Sequence, residues 1–209
     1  MNTHIQLYPV WIRIWHWTNA LLFLALTFSG MSMRFAGSGA IPWIPFNTAR
    51  LLHNSCGILL AVGYVAWFVG NILSGNWRHY VPELKGLIGR LIEQTRFYAV
   101  GIFQDAHHPF PATARSKFNP LQQLTYLGVM FVAMPVLIVT GILFFFPEYA
   151  PESFLGFDGL WPLAILHYIT GLFLMIFLIG HIYLATAGET VIGEFKKMVF
   201  GSTIQPEEK

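Results

Sequence analysis

Four long apolar runs, at residues 10–33, 51–73, 124–146 and 161–187, set the terms for any fold of this 209-residue chain. About 20 helical residues cross the hydrocarbon core of a bilayer, and each run reaches that length. In lipid a backbone must satisfy its own N–H and C=O groups, so such runs form helices. Charge agrees: 11% of the residues are Asp, Glu, Lys or Arg, about half the share in a soluble domain. The expected fold is an all-α membrane protein. It is a four-transmembrane-helix bundle, one domain over residues 1–209, with an amphipathic surface helix between spans 2 and 3. The first run reads as a retained span, because it lacks a basic leader and Arg13, His16 and Asn19 interrupt it.

The connections differ in kind. The segment 34–50 holds Gly37-Ser38-Gly39 and Pro42-Trp43-Ile44-Pro45, the chemistry of a tight surface loop. The segment 75–120 carries nine of the 22 charged residues, more than any other connection. Within it Leu84, Leu87, Ile88, Leu91, Ile92 and Tyr98 recur at helical spacing, with Lys85, Arg90, Glu93 and Arg96 on the other face. That pattern suits a helix on the membrane surface or against a partner subunit. Trp11, Trp15, Trp17, Trp43, Trp77 and Trp161 fall near span ends, as an aromatic belt would. Arg78, Lys85, Arg90, Arg96, Arg115 and Lys117 lie in the second connection, and Lys196, Lys197 and Lys209 in the tail. Segment 147–159 has only the acids Glu148, Glu152 and Asp158. The positive-inside rule then puts the second connection and both termini in the cytoplasm.

Several functions are excluded. A formal net charge of +2 without an aromatic-interleaved basic patch argues against nucleic acid. The single cysteine, Cys56, permits no internal disulfide and no cysteine cluster, and no C-x-x-C-H motif for covalent haem occurs.

What remains is histidine. An ionisable side chain within a membrane span is costly and marks function. His167 and His181 share the fourth run, fourteen positions apart. On a helix they stand roughly 21 Å apart and leave nearly the same face, about 40° short of four full turns. By depth, His16 pairs with His181 in the cytoplasmic half, and His53 with His167 in the outer half. A lone histidine would be satisfied by a neighbouring helix; four at two matched depths point to two bis-histidine haems. Arg13 and Arg50 each stand three residues before a ligand, one turn nearer the surface, where a guanidinium either reaches haem propionates or simply snorkels from a helix end. His4, His79, His107 and His108 fall in polar segments and read as solvated. Gly57, Gly63, Gly70 and Gly171 offer space for a macrocycle or for close helix approach. Pro135 is expected to kink the third span.

These residues resemble a family. Trp11-Ile12-Arg13-Ile14-Trp15-His16-Trp17, Arg50-Leu51-Leu52-His53, Gly75-Asn76-Trp77-Arg78-His79-Tyr80, Phe118-Asn119-Pro120-Leu121-Gln122 and the pair His167 and His181 carry the likeness. The chain is similar to the di-haem cytochrome b membrane subunits of respiratory oxidoreductases. The thiosulfate-reductase type and the formate dehydrogenase gamma subunits are nearest, and hydrogenase cytochrome b is more distant. The resemblance implies an inner-membrane anchor with two non-covalent b-type haems. Such an anchor passes electrons between menaquinone or ubiquinone on the cytoplasmic side and an iron–sulfur subunit on the outer side. Substrate catalysis belongs to a further partner, of molybdopterin type in some such assemblies. Asn119 and Gln122 map to residues lining the quinone pocket; Asn119 also suits a helix cap. Two rivals stand beside this reading. One is a free-standing di-haem cytochrome passing electrons from a small donor such as superoxide to quinone. The other is a haem-free transporter or anchor.

Overall fold

The computed structural model describes residues 2–36, 44–104, 106–113, 116–154, 156–186 and 190–206, and these are mostly helical. Helix α1 (Val10–Arg34) starts behind Pro9, whose carbonyl accepts from the N–H groups of Ile12 and Arg13. Helix α2 (Phe46–Ser74) starts behind Pro45 in the same way, with Ala49 as donor. Both prolines bias the residue before them to extended backbone, which fixes where each helix begins. Gly75, at φ +68°, stops α2 in the left-handed region that glycine adopts without steric cost. A 3-10 turn (Asn76–Tyr80) follows, and then α3 (Leu87–Ala99), the expected amphipathic helix.

The third apolar run is helical from Pro120 to Phe145 but not uniform. It divides into α4 (Pro120–Gly128), a π-helical turn (Val129–Ala133) and α5 (Met134–Phe145). Pro135 lacks an N–H, and its ring would meet the carbonyl four residues back. The wider π turn just before it takes up that mismatch. Helix α6 (Leu160–Thr186) carries both His167 and His181, and α7 (Gly193–Phe200) follows near the C-terminus.

Among the described residues, three helical runs are long and apolar enough to cross a membrane: Phe46–Ser74, Pro120–Phe145 and Leu160–Thr186. Helix α1 has 25 residues, but Arg13, His16, Thr18 and Asn19 make its first turns polar. The observed helices begin up to five residues before the expected runs 51–73, 124–146 and 161–187, because the capping residues are themselves polar or prolyl. Four short strands were not expected. β2 (Ser153–Phe154) and β3 (Phe157–Asp158) form a small hairpin. β1 (Asn2–Gln6) and β4 (Ser202–Pro206) pair antiparallel, from Asn2 opposite Pro206 to Gln6 opposite Ser202. Trp43 and the Gly37-Ser38-Gly39 turn, Arg115, Ala187 and Lys209 lie outside the described residues.

The chain forms two compact units. The first comprises residues 1–13, 71–133 and 178–209. Its buried side chains include Leu7, Ile12, Tyr80, Val129 and Gln94. Leu7 and Tyr8 donate their N–H groups to the Gly201 carbonyl at 2.8 and 3.1 Å, and the Arg13 guanidinium donates to the Val199 carbonyl. Gly201 has φ +81°, and a Cβ there would lie 2.6 Å from the Tyr8 carbonyl oxygen, so the terminal strand pair requires glycine at this corner. Lys117 donates to Asn76 Oδ1 at 2.8 Å, and Asn76 Nδ2 donates to Asn71 Oδ1 at 2.8 Å. Burial lowers the Lys117 ammonium below its ordinary pKa.

The second unit comprises residues 14–70 and 134–177. Its centre holds Trp67, Leu60, Ala49 and Leu174, together with the hydroxyls of Ser29 and Thr140. Trp15 stacks on Trp67 with ring centroids 5.6 Å apart and donates its indole N–H to the Gly63 carbonyl at 2.9 Å. Its ring therefore packs inside this unit. In both units large apolar side chains such as Leu21, Leu51, Leu73 and Ile176 face outward, the reverse of a water-soluble surface and the arrangement lipid rewards.

Candidate functional site

In the second unit α2 brings His53 and α6 brings His167 together, ring centroids 6.3 Å apart with planes at 66°. A metal bound to an imidazole nitrogen lies about 2 Å from it, hence about 3 Å from the ring centre. Two imidazoles on opposite sides of one metal would then sit about 6 Å apart. The observed separation fits a shared iron. Each ring is also held from behind. His53 Nδ1 lies 3.0 Å from Ser29 Oγ, and His167 Nδ1 lies 2.8 Å from Thr140 Oγ1. With Nδ1 engaged, Nε2 is the lone pair each ring offers to a metal.

Ser29, Thr140, Gly30 and Gly141 escaped the sequence reading. A Cβ on Gly30 would stand 3.2 Å from His53 Cε1, and one on Gly141 would stand 3.5 Å from His167 Cε1. Of the glycines singled out from sequence, Gly63 faces nothing within 4 Å. Gly57 and Gly171 make only ordinary contacts with Leu26 and Leu137. The signal was a repeated dipeptide, a hydroxyl residue followed by glycine, at 29–30 and 140–141. It becomes visible only once both ligands are known.

His16, also in the second unit, meets the Trp17 ring edge-on at 5.4 Å. His181, in the first unit, lies 6.3 Å from the Tyr126 ring. The expected partners thus belong to different units. Arg50 is exposed on α2, one turn before His53. Arg13 gives one guanidinium donor to the Val199 carbonyl, as noted above.

The first unit gathers the other candidates. Asn119 and Gln122 form a reciprocal cap on α4: Asn119 Oδ1 accepts from the Gln122 N–H at 2.9 Å, and Gln122 Oε1 accepts from the Asn119 N–H at 3.1 Å. Asn119 Nδ2 donates to the Tyr98 hydroxyl at 2.8 Å. Burial raises the Tyr98 phenol above its ordinary pKa, so it stays neutral. Phe118 contacts Tyr126 at 5.0 Å, and Tyr126 in turn contacts His181. Ring contacts thus connect the residue beside Asn119 to a candidate ligand. One turn before Tyr98, Gln94 is fully buried, and among the described residues no hydrogen bond to its amide has ordinary geometry. A buried amide left unsatisfied costs about 1–3 kcal/mol, which a water or a ligand would recover.

An apolar helical chain with two half-buried histidines at metal-binding distance is a membrane haem protein in type. Comparison with known proteins agrees. Residues 7–201 match the family described as "Prokaryotic cytochrome b561", and the chain belongs to that family. It is similar to "Putative cytochrome YdhU" of Escherichia coli (strain K12), 41% identical over 94% of this chain and 74% of that protein. It is 26% identical to "Probable Ni/Fe-hydrogenase B-type cytochrome subunit" of Rhizobium leguminosarum bv. viciae, over 87% of this chain and 80% of the relative. It is 25% identical to "Formate dehydrogenase, nitrate-inducible, cytochrome b556(Fdn) subunit" of Escherichia coli (strain K12), over 90% and 79%. The protein is a membrane cytochrome of the b type, and its family carries electrons through haem.

Proposed function

We propose that this chain is a single-domain, four-span, di-haem membrane subunit of a respiratory oxidoreductase. It passes electrons between a cytoplasmic-side quinone and an iron–sulfur partner on the outer face of the inner membrane. The observation that carries the reading is the His53–His167 pair, facing at 6.3 Å with both Nδ1 atoms engaged. Haem supplies one-electron transfer, and the protein supplies ligands, depth and surroundings. His53 and His167 hold the outer iron, and His16 and His181 the inner one. Arg13 and Arg50 serve the propionates with the guanidinium donors that remain to them. Quantifying b haem against protein tests this directly. Two haems per chain are expected, and a reduced-minus-oxidised spectrum without b-type bands would overturn it.

The fourth span is supported by parity. Three crossings would leave the chain's ends on opposite sides of a core about 30 Å thick. Yet β1 and β4 pair residue by residue within one unit, at the roughly 4.8 Å spacing of adjacent strands. An even number of crossings accounts for that pairing, with the 25-residue α1 as the fourth. The lysine and arginine bias puts both ends in the cytoplasm. Reporters fused to the two termini should both be inaccessible from outside intact cells; opposite accessibility would sink the four-span reading.

The quinone site is placed at Asn119 and Gln122, joined by Tyr98 and Gln94. Their amides and phenol suit the carbonyls of menaquinone or ubiquinone, and Tyr126 and Phe118 continue the cluster toward His181. Ile88 and Ile92 leave an exposed apolar stripe on α3, as a helix lying in the bilayer interface presents. A catalytic subunit outside the membrane, of molybdopterin type in one form, completes the complex, in keeping with relatives named as dehydrogenase and hydrogenase subunits. Co-purification of an iron–sulfur protein is expected. A chain that purifies alone and reduces quinone with superoxide would favour the free-standing alternative.

A further inference from the structure

Ser29 and Thr140 do the same thing on different helices. The Ser29 hydroxyl reaches the carbonyl of Ala25 at 2.7 Å and that of Leu26 at 3.2 Å, besides His53 Nδ1 at 3.0 Å. The Thr140 hydroxyl reaches the carbonyls of Val136 at 2.7 Å and Leu137 at 3.1 Å, besides His167 Nδ1 at 2.8 Å. A hydroxyl has one proton, and a carbonyl can only accept. The proton therefore goes to the helix backbone, and each oxygen turns a lone pair to the ring. Nδ1 must then be the donor. Both hydroxyls are buried, Ser29 at 0% and Thr140 at 3% exposure, so water cannot substitute. Beside each, a glycine leaves room for the ring edge.

We propose that Ser29 and Thr140 are positioning residues that set the electron affinity of the outer haem, by accepting the Nδ1–H of its two axial histidines. A hydrogen bond from Nδ1 makes an imidazole a stronger donor through Nε2. Stronger donation favours the oxidised iron, so the pair holds the outer potential low. This rests on His53 and His167 being ligands.

The test uses the membrane-bound protein with haem incorporated. Thr140→Val removes the hydroxyl and keeps the shape; Thr140→Ser keeps the hydroxyl and removes a methyl. Ser29→Ala is the counterpart on α1. The readouts are the midpoint potentials of the two haems and the low-spin resonance of each in electron paramagnetic resonance, with the inner haem as internal reference. Thr140→Val and Ser29→Ala should each raise the outer potential and shift its resonance. Thr140→Ser should return both toward wild type. Unchanged outer signals in Thr140→Val and Ser29→Ala would overturn the inference, as would a shift in Thr140→Ser as large as in Thr140→Val. If a variant loses the outer haem, retention in Thr140→Ser supports the hydroxyl's role and loss there overturns it. Failure of the underlying reading looks different: His53→Ala and His167→Ala would then keep both haems.

Discussion

Replacing His167 by alanine should halve the haem content and leave one component with its potential intact. The ring is one of two that face each other at 6.3 Å, and an iron held by His53 alone keeps only one protein ligand. Thr140 Oγ1 loses its imidazole partner but keeps its proton on the Val136 carbonyl at 2.7 Å, so the helix around the site should hold. The damage should remain in the second unit, because His181 stands fourteen residues further along α6 beside Tyr126. His53→Ala must give the same survivor as His167→Ala, and His16→Ala and His181→Ala must give the complementary one. Exposed His107 is the control and should leave both haems in place. Haem assay and redox titration of the five variants check this. A survivor shared by His53→Ala and His181→Ala would break the pairing.

Much of this arrangement was legible before any coordinates. Membrane-length apolar runs force helices, so α2, the Pro120–Phe145 run and α6 follow from hydropathy, and the spacing of His167 and His181 follows from helical pitch. Two features were not legible. The strand pair of the termini depends on contacts across almost the whole chain, from Asn2 to Pro206, and no local pattern announces such a pairing. The hydroxyls of Ser29 and Thr140 were hidden for another reason. A serine or threonine in an apolar helix usually bonds its own backbone, and both do. Only the facing ring distinguishes them. Asn119 falls between these cases. Its capping role is readable from Asn119-Pro120-Leu121-Gln122 and is present in full, whereas its bond to Tyr98 brings in a residue 21 positions away.

That double role of Asn119 decides how the quinone site must be tested, and Gln94 gives the sharper result. Asn119→Ala removes a cap worth about 0.5–2 kcal/mol, so lost turnover in that variant alone says little. Asn119→Asp and Asn119→Ser keep an acceptor for the Gln122 N–H while removing the Nδ2 donor that reaches Tyr98. If the amide binds quinone, both should lower quinol turnover about as much as alanine does, with haem content and potentials unchanged. Full turnover in Asp and Ser, with loss only in Ala, would leave Asn119 a cap and nothing more. Gln94 has no capping duty, and among the described residues neither amide atom makes a hydrogen bond of ordinary geometry. Gln94→Leu replaces an unsatisfied buried amide with an apolar side chain of similar size, so the chain should become more stable, by about 1–3 kcal/mol. Removing one hydrogen bond to a bound quinone carbonyl should nevertheless slow turnover up to about tenfold. Stability and activity then move in opposite directions. A residue kept for packing cannot produce that combination, and a Gln94→Leu protein with unchanged quinol kinetics would remove Gln94 from the site.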